Sequence, residues 1–301
     1  MKNLKKLFGG TDLNWPKLLA FAIASGVYTA LVSILPQVRD TSLHTIAVSF
    51  EIWIFFGLVI IMNAGSNMDS ALKCFVFFLV SQPLVYLLQV PFSAEGWHIF
   101  RYYKYWFIWT VLCLPMGYIG YYLKKDKWWG YPILLPMIVL TAISYSQYLS
   151  YFIFCRPYYA LISVFCAGAM LLYPNVLFND KRIKKAGTAV SALLIAGLTA
   201  AAALNPHTYS TELLASVDGA DITKEYRASL ADDKYGSVSV DYYDSIGTYM
   251  VHADFRKKGN TELVITTPDG AEKIYDLAIG LNSYELREKQ PAVPGLGNGT
   301  D

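Results

Sequence analysis

Residues 186–217 read AGTAVSALLIAGLTAAAALNPHTYSTELLASV, and they contain the point at which the character of the chain changes. The part that ends at Asn205 has no charged residue, and it has about the 20 residues that a helix needs to cross a hydrocarbon core of ~30 Å. After Pro206 the apolar residues come in short runs between polar and charged ones. The junction therefore predicts a membrane-embedded part followed by a part in water.

The charges of the chain divide at the same point. Residues 1–205 hold 16 Lys/Arg and 7 Asp/Glu, whereas residues 206–301 hold 9 Lys/Arg and 16 Asp/Glu, so a basic part and an acidic part together give the net charge of +2. Only 16% of the chain is charged and 54% is hydrophobic, against about 25% charged residues in soluble domains. This composition excludes an ordinary soluble protein, a disordered protein and a nucleic-acid-binding protein.

Seven apolar segments are long enough to cross a membrane. They are residues 18–35, 43–62, 72–92, 104–123, 128–148, 157–178 and 186–205, and residues 1–16 precede them. The fifth and sixth segments come from two uncharged runs separated only by Arg156, which are too long for one helix, so we predict a tight hairpin near residues 148–156. The first segment exceeds the roughly 7–15 apolar residues of a signal peptide, and we interpret it as an uncleaved helix.

The Lys and Arg residues of the loops predict the orientation, because cytoplasmic loops are enriched in them. With a cytoplasmic N-terminus, twelve of these residues fall on the inner side and only Arg39, Arg101, Lys104 and Arg156 on the outer side. An odd number of crossings then places residues 206–289 outside a plasma membrane. This part contains no cysteine, and an exported domain without disulfides suits a bacterial cell envelope.

Residues 206–289 show the alternation of apolar and polar positions that is typical of half-buried strands. Residues 249–255 repeat with a period of two, and the sequence PDG at 268–270 predicts a hairpin turn. The predicted strands are 211–217, 222–229, 237–243, 249–255, 262–267, 271–280 and 283–287. Seven short strands fit an all-β, immunoglobulin-like sandwich. The Pro/Gly-rich residues 290–301 lack periodicity, and we predict a disordered tail.

Glu51 is the only carboxylate deep within a predicted span, where burying a charged side chain is costly. The next span runs antiparallel to it and brings Gln82 to a similar depth, so a contact between Glu51 and Gln82 is expected. Two interpretations are open. Glu51 is either a proton or cation site, or a protonated or paired carboxyl group that fixes helix packing.

A second group of candidates lies at the predicted outer edge of the membrane. Residues 95–106 read EGWHIFRYYKYW and contain Glu95, His98, Arg101 and Lys104, while Arg156 lies at a similar depth. Cations placed between aromatic rings suit an anionic headgroup, a sugar phosphate or a peptide. The alternative is an interfacial belt, because Trp and Tyr favour this depth and the long side chains of Lys and Arg extend toward water there.

No nucleotide-binding, metalloprotease or hydrolase motif occurs, and we predict no cofactor and no metal. We expect a non-enzymatic membrane protein that presents its outer domain for recognition, or as an accessory or sensor subunit. The expected partners are the lipid bilayer and a protein or glycan bound by the outer domain, with no nucleic acid. One alternative is a small transporter or channel that uses Glu51. Another is a lipid- or polysaccharide-modifying enzyme with an outer-face site at Glu95, His98, Arg101 and Arg156.

Overall fold

The computed structural model describes residues 2–38, 41–155, 158–244 and 247–289. In these ranges, the α-helices are α1 (Lys2–Leu7), α2 (Trp15–Ile34), α3 (Ser42–Val48), α4 (Phe50–Asn63), α5 (Asn67–Gln89), α6 (Tyr103–Gly120), α7 (Gly130–Cys155), α8 (Ala160–Leu177) and α9 (Lys181–Leu204). The contacts divide the chain into a helical unit, residues 1–149 and 158–201, and a β unit, residues 150–157 and 202–301.

Six helices of the described chain are long and apolar enough to cross a membrane, namely α2, α5, α6, α7, α8 and α9. The pair α3 and α4 passes the same test only when taken together, and the two helices meet at a bend of 50°. The prediction of several helices apolar enough to span a membrane is therefore confirmed. The prediction of seven continuous spans is not, because the second of them is broken.

The break in this span lies at Ser49, which has an extended backbone with φ −73° and ψ 151° and separates α3 from α4. Its N–H and its hydroxyl both donate to the carbonyl of Ile46, at 3.3 and 3.1 Å. These local bonds replace some of the helical hydrogen bonds that are lost at the break. Because residues 43–62 form one apolar segment without proline, the sequence predicted an unbroken helix.

The hairpin predicted near residues 148–156 lies later in the chain. Helix α7 continues to Cys155 and α8 begins at Ala160, so the helix passes the predicted end at residue 148. Residues 149–155 read LSYFIFC and contain neither glycine nor proline, whereas Pro157 follows directly in the sequence. Proline disfavours helical geometry in the residue before it, which accounts for a helix that ends at Cys155.

Glycines allow the helices to approach closely. A Cβ atom on Gly26 would lie 2.8 Å from the carbonyl oxygen of Ser81, where α2 packs on α5. A Cβ atom on Gly187 of α9 would lie 2.7 Å from the Cβ of Pro174 in α8. Small residues of this kind are a common means of helix association in membranes, where the hydrophobic effect does not drive helices together.

The β unit contains antiparallel strands throughout its described part. The strands are β1 (Tyr209–Leu214), β2 (Ser216–Val217), β3 (Ala220–Asp221), β4 (Arg227–Leu230), β5 (Gly236–Tyr243), β6 (Thr248–Phe255), β7 (Gly259–Thr266), β8 (Glu272–Ile279) and β9 (Tyr284–Glu288). They form a three-stranded sheet in the order β1-β6-β5, a hairpin of β2 and β3, and a four-stranded sheet in the order β4-β7-β8-β9. Alternate residues of β6, β7 and β8 are buried, as the period of two predicted.

The hairpin predicted at residues 268–270 is confirmed, since β7 and β8 pair antiparallel on either side of it. The Thr267 hydroxyl and the Ala271 N–H donate to the Asp269 carboxylate, and these bonds hold the pKa of Asp269 below its usual value. The strand predicted at 222–229 is shorter, because β4 begins only at Arg227 after a turn in which the Tyr226 N–H donates to the Thr223 carbonyl. The tail predicted at 290–301 lies outside the described residues.

Candidate functional site

A polar cavity of about 420 Å³ lies in the helical unit, beside the break between α3 and α4. It is near the end of the unit where α2 and α5 finish and where α3 and α6 begin. The lining residues are Thr29, Ser33, His44, Val48, Trp53, Gln82, Val85, Tyr86, Gln89 and Trp106. Its volume falls in the range of roughly 300–1,000 Å³ that is typical of small-molecule sites.

The broken helix supplies one wall of this cavity and explains part of its polarity. A helix that ends inside the protein leaves the carbonyl groups of its last turn without helical partners. One of them, the carbonyl of Ala47, accepts a hydrogen bond of 3.3 Å from the Thr29 hydroxyl on α2. The Ser33 hydroxyl donates to the carbonyl of Thr29 at 2.8 Å, so it is also satisfied locally. The side chains of α2 thus hold the broken span in place.

Helix α5 supplies the opposite wall through Gln82, Tyr86 and Gln89. Their spacing of four and three residues places them on one face of the helix. Gln89 donates from Nε2 to the carbonyl of Val85 at 3.0 Å. Gln82 is only 2% exposed, and its Nε2 has no hydrogen-bond partner in the described part of the protein. A buried amide N–H without a partner is costly, so Gln82 would gain a bond if its side chain turned toward a ligand in the cavity.

Aromatic rings complete the lining, and no Asp, Glu, Lys or Arg is among the described residues that form it. The rings of Trp53 and Trp106 lie 6.2 Å apart between their centroids, and Tyr86 joins them. Flat aromatic faces with neutral amide, hydroxyl and imidazole groups suit a neutral ligand rich in hydroxyl groups. The described lining offers no Lys or Arg to pair with a phosphate and no carboxylate to pair with an ammonium group.

Glu51 does not lie in this cavity, and the expected contact with Gln82 is wrong. The Nε2 atom of Gln82 and the Oε2 atom of Glu51 each lack a hydrogen-bond partner in the described residues. The two side chains do not meet because they point in different directions around their helices, since each residue advances about 100° around a helix. Glu51 shares its face of α4 with Ile54 and Leu58, which pack into the core of α7 and α8, whereas Trp53 packs against α5.

The surroundings of Glu51 are apolar and closed. The side chain is 1% exposed, in the first turn of α4 directly after the break. It lies within electrostatic range of Cys166 and Tyr173 on α8, and the Tyr173 hydroxyl is also buried without a hydrogen-bond partner in the described chain. Glu51 and Tyr173 are therefore buried polar groups of the core rather than of the cavity.

The candidates at the predicted outer edge are exposed and largely satisfy one another. Arg101 forms a 2.9 Å ion pair with Glu95 and donates to the Tyr102 hydroxyl at 2.7 Å. Lys104 lies over the ring of Tyr105 at 5.2 Å, and His98 is exposed. None of these side chains lines the polar cavity. Arg156, the last of these candidates, lies outside the described residues.

At the opposite end of the helical unit, a network of polar contacts surrounds the turn between α4 and α5. Lys73 is buried and forms a 2.8 Å ion pair with Asp69, which also accepts a bond of 2.8 Å from the Gly65 N–H. Lys124 donates to the Ala64 carbonyl at 2.6 Å, and the Tyr121 hydroxyl donates to the Gly65 carbonyl at 2.8 Å. We assign this network to structure, because each group has a partner.

A second, apolar pocket of about 410 Å³ lies between α4, α5, α6 and α7. Trp53, which is 2% exposed, lines both this pocket and the polar cavity. The two cavities are thus neighbours on either side of one indole ring. Comparison of the chain with protein-family models, with curated proteins and with solved structures finds no match.

Proposed function

We propose that this protein is a non-enzymatic membrane protein of the cell envelope that binds a neutral, hydroxyl-rich group of the carbohydrate class in the polar cavity. The observation that carries the proposal is the cavity itself, with its neutral hydrogen-bonding groups, its aromatic walls and the unpartnered amide of Gln82. A sugar ring has apolar faces that stack on Trp and Tyr, and its hydroxyl groups both donate and accept hydrogen bonds.

The predicted orientation places this cavity on the outer side of the membrane. It lies at the end that carries residues 35–38 and 90–102, which the distribution of Lys and Arg assigns to the outside. The same distribution assigns the β unit to the outside, and an immunoglobulin-like sandwich there is part of the proposal. A receptor or accessory subunit would then meet its ligand at the outer face and present the β unit to a protein or glycan.

The transporter alternative assigned a central role to Glu51. Because Glu51 points into the core of α7 and α8 and does not line the cavity, the cavity supports binding without requiring this carboxyl group. The enzyme alternative used Glu95, His98 and Arg101, and these side chains do not meet at the cavity either. The binding proposal is therefore the one that the site favours.

The proposal predicts that Gln82→Leu weakens the binding of a neutral sugar. The substitution removes the amide that has no protein partner, and one lost hydrogen bond of about 1.4 kcal/mol corresponds to roughly a tenfold rise in Kd. The measurement uses the full chain in phosphatidylcholine nanodiscs, with methyl β-glucoside and methyl N-acetyl-β-glucosaminide as probes. Tryptophan fluorescence reports binding, since Trp53 and Trp106 line the cavity.

Gln147→Leu is the matched control, because Gln147 lies in α7 and does not line the cavity. We expect this variant to bind like the unaltered protein. The proposal is wrong if neither probe gives a saturable change in fluorescence, or if both leucine variants bind the probes equally well.

A further inference from the structure

We infer that the apolar pocket holds the hydrocarbon chain of the same ligand, so that the ligand is an amphiphile with a neutral sugar head, of the glycolipid class. This inference rests on the proposed function, because the polar cavity must hold the head. It commits the pocket to one occupant, the chain attached to that head, rather than to any phospholipid of the bilayer. Three features of the pocket support it: its lining, its opening, and the space left by one glycine.

The lining of the pocket is suited to hydrocarbon. Its side chains are aliphatic, aromatic, sulfur-containing, proline or glycine, and none of the described residues that form it carries a charge, an amide or a hydroxyl. Three of them are Pro115, Pro132 and Pro136, in the part of the unit where α6 and α7 face α4. A chain of methylene groups makes only dispersion contacts, and such a surface provides them without leaving a polar group unsatisfied.

The pocket opens on the lipid-facing surface of α6. Trp109, Met116 and Ile119 line it and are also exposed on the outside of the helical unit. A hydrocarbon chain can therefore enter from the bilayer without crossing water. At the other side the pocket reaches Trp53, behind which lies the polar cavity. This shared wall is the reason to connect a chain in the pocket with a head in the cavity, the linkage between them passing the edge of the Trp53 ring.

Gly57, in the middle of α4, supports the inference independently. Glycine in a helix interior costs about 1 kcal/mol relative to alanine, and it is usually explained by close packing of a neighbour. No such neighbour exists here, because a Cβ atom on Gly57 would meet no described atom within 4 Å. Gly57 lines the apolar pocket, so its missing side chain leaves the pocket open rather than allowing two helices to approach.

The test compares short and long probes on the full chain in phosphatidylcholine nanodiscs. Methyl β-glucoside presents the head alone, and octyl β-glucoside presents the same head with a chain. We expect Gly57→Leu to fill the pocket, to weaken the binding of octyl β-glucoside about tenfold, and to leave the binding of methyl β-glucoside unchanged. Unchanged binding of the short probe also shows that the variant is folded.

Gly168→Leu is the matched control, since Gly168 in α8 has equally open surroundings and does not line the pocket. Both leucine variants experience the same partitioning of the octyl chain into the bilayer, so only occupancy of the pocket separates them. If Gly57→Leu and Gly168→Leu bind the octyl probe equally well while the methyl probe still binds, the inference is overturned and the proposed function stands. If the methyl probe binds to no form of the protein, the proposed function fails and this inference fails with it.

Discussion

Gly117→Val is expected to prevent stable packing of the helical unit. A Cβ atom at this position would lie 3.0 Å from the Cα of Ala71 and 3.0 Å from the carbonyl oxygen of Ser70, and these backbone atoms of α5 cannot rotate away. The Gly117 carbonyl also accepts a 2.8 Å hydrogen bond from the Ser70 hydroxyl, which separation of α5 and α6 would break. Overpacking of this kind costs about 3 kcal/mol.

The free energy of unfolding in mixed micelles, followed by tryptophan fluorescence, measures this loss. Gly197→Val is the matched control, because it introduces the same β-branched residue into helix α9 at a position where a Cβ atom meets no described atom within 4 Å. The control isolates the cost that valine adds to any helix. Equal stability of the two variants would show that α5 and α6 do not approach as closely as described.

Gly236→Ala is expected to disrupt the three-stranded sheet of the β unit. Gly236 has φ +153°, which disfavours any residue with a Cβ atom, and it lies opposite Phe255 where β5 pairs with β6. The new Cβ atom would lie 2.9 Å from the Cα of Phe255 and closer still to the carbonyl oxygen of Asp254. Backbone strain and the clash together cost about 3 kcal/mol.

Hydrogen exchange of the backbone amides measures this effect, because local opening accelerates exchange. We expect amides of β5 and β6 to lose protection. Gly219→Ala also replaces a glycine with positive φ, at +79°, but its Cβ atom meets no described atom within 4 Å. It should cost only the backbone strain, so similar exchange in both variants would contradict the described register of β5 and β6.

The long apolar segments could be predicted from the sequence because length and hydropathy alone determine them. The break at Ser49 could not, since it depends on local hydrogen bonds to Ile46 and on the support that Thr29 gives to Ala47, and no proline marks it. The hairpin after α7 was placed too early, because the uncharged residues 128–155 give no signal at residue 148, whereas Pro157 is the signal for the end of the helix.

For the site, the sequence identified Gln82 but assigned it the wrong partner. Gln82 and Glu51 were predicted to lie at a similar depth along their helices. Contacts also depend on the direction in which each side chain points around its helix. Gln82 faces α2 and α6 across the cavity, while Glu51 faces the core of α7 and α8. The spacing of Gln82, Tyr86 and Gln89 on one face of an apolar helix was the available signal for the cavity.

The measurement that tests the central claim most directly is the labelling of cysteines in intact cells by a membrane-impermeant thiol reagent. Gln89→Cys places a thiol in the half-buried lining of the polar cavity, whereas Leu88→Cys places one at the same depth outside that lining. Asn260→Cys, on an exposed position of the β unit, is the control for the outer side, and the four natural cysteines are buried.

We predict that the reagent labels the Gln89→Cys and Asn260→Cys proteins and not the Leu88→Cys protein, and that methyl β-glucoside slows labelling only of the Gln89→Cys protein. Failure to label the Gln89→Cys protein while the Asn260→Cys protein reacts would contradict a ligand cavity that is open to the outside.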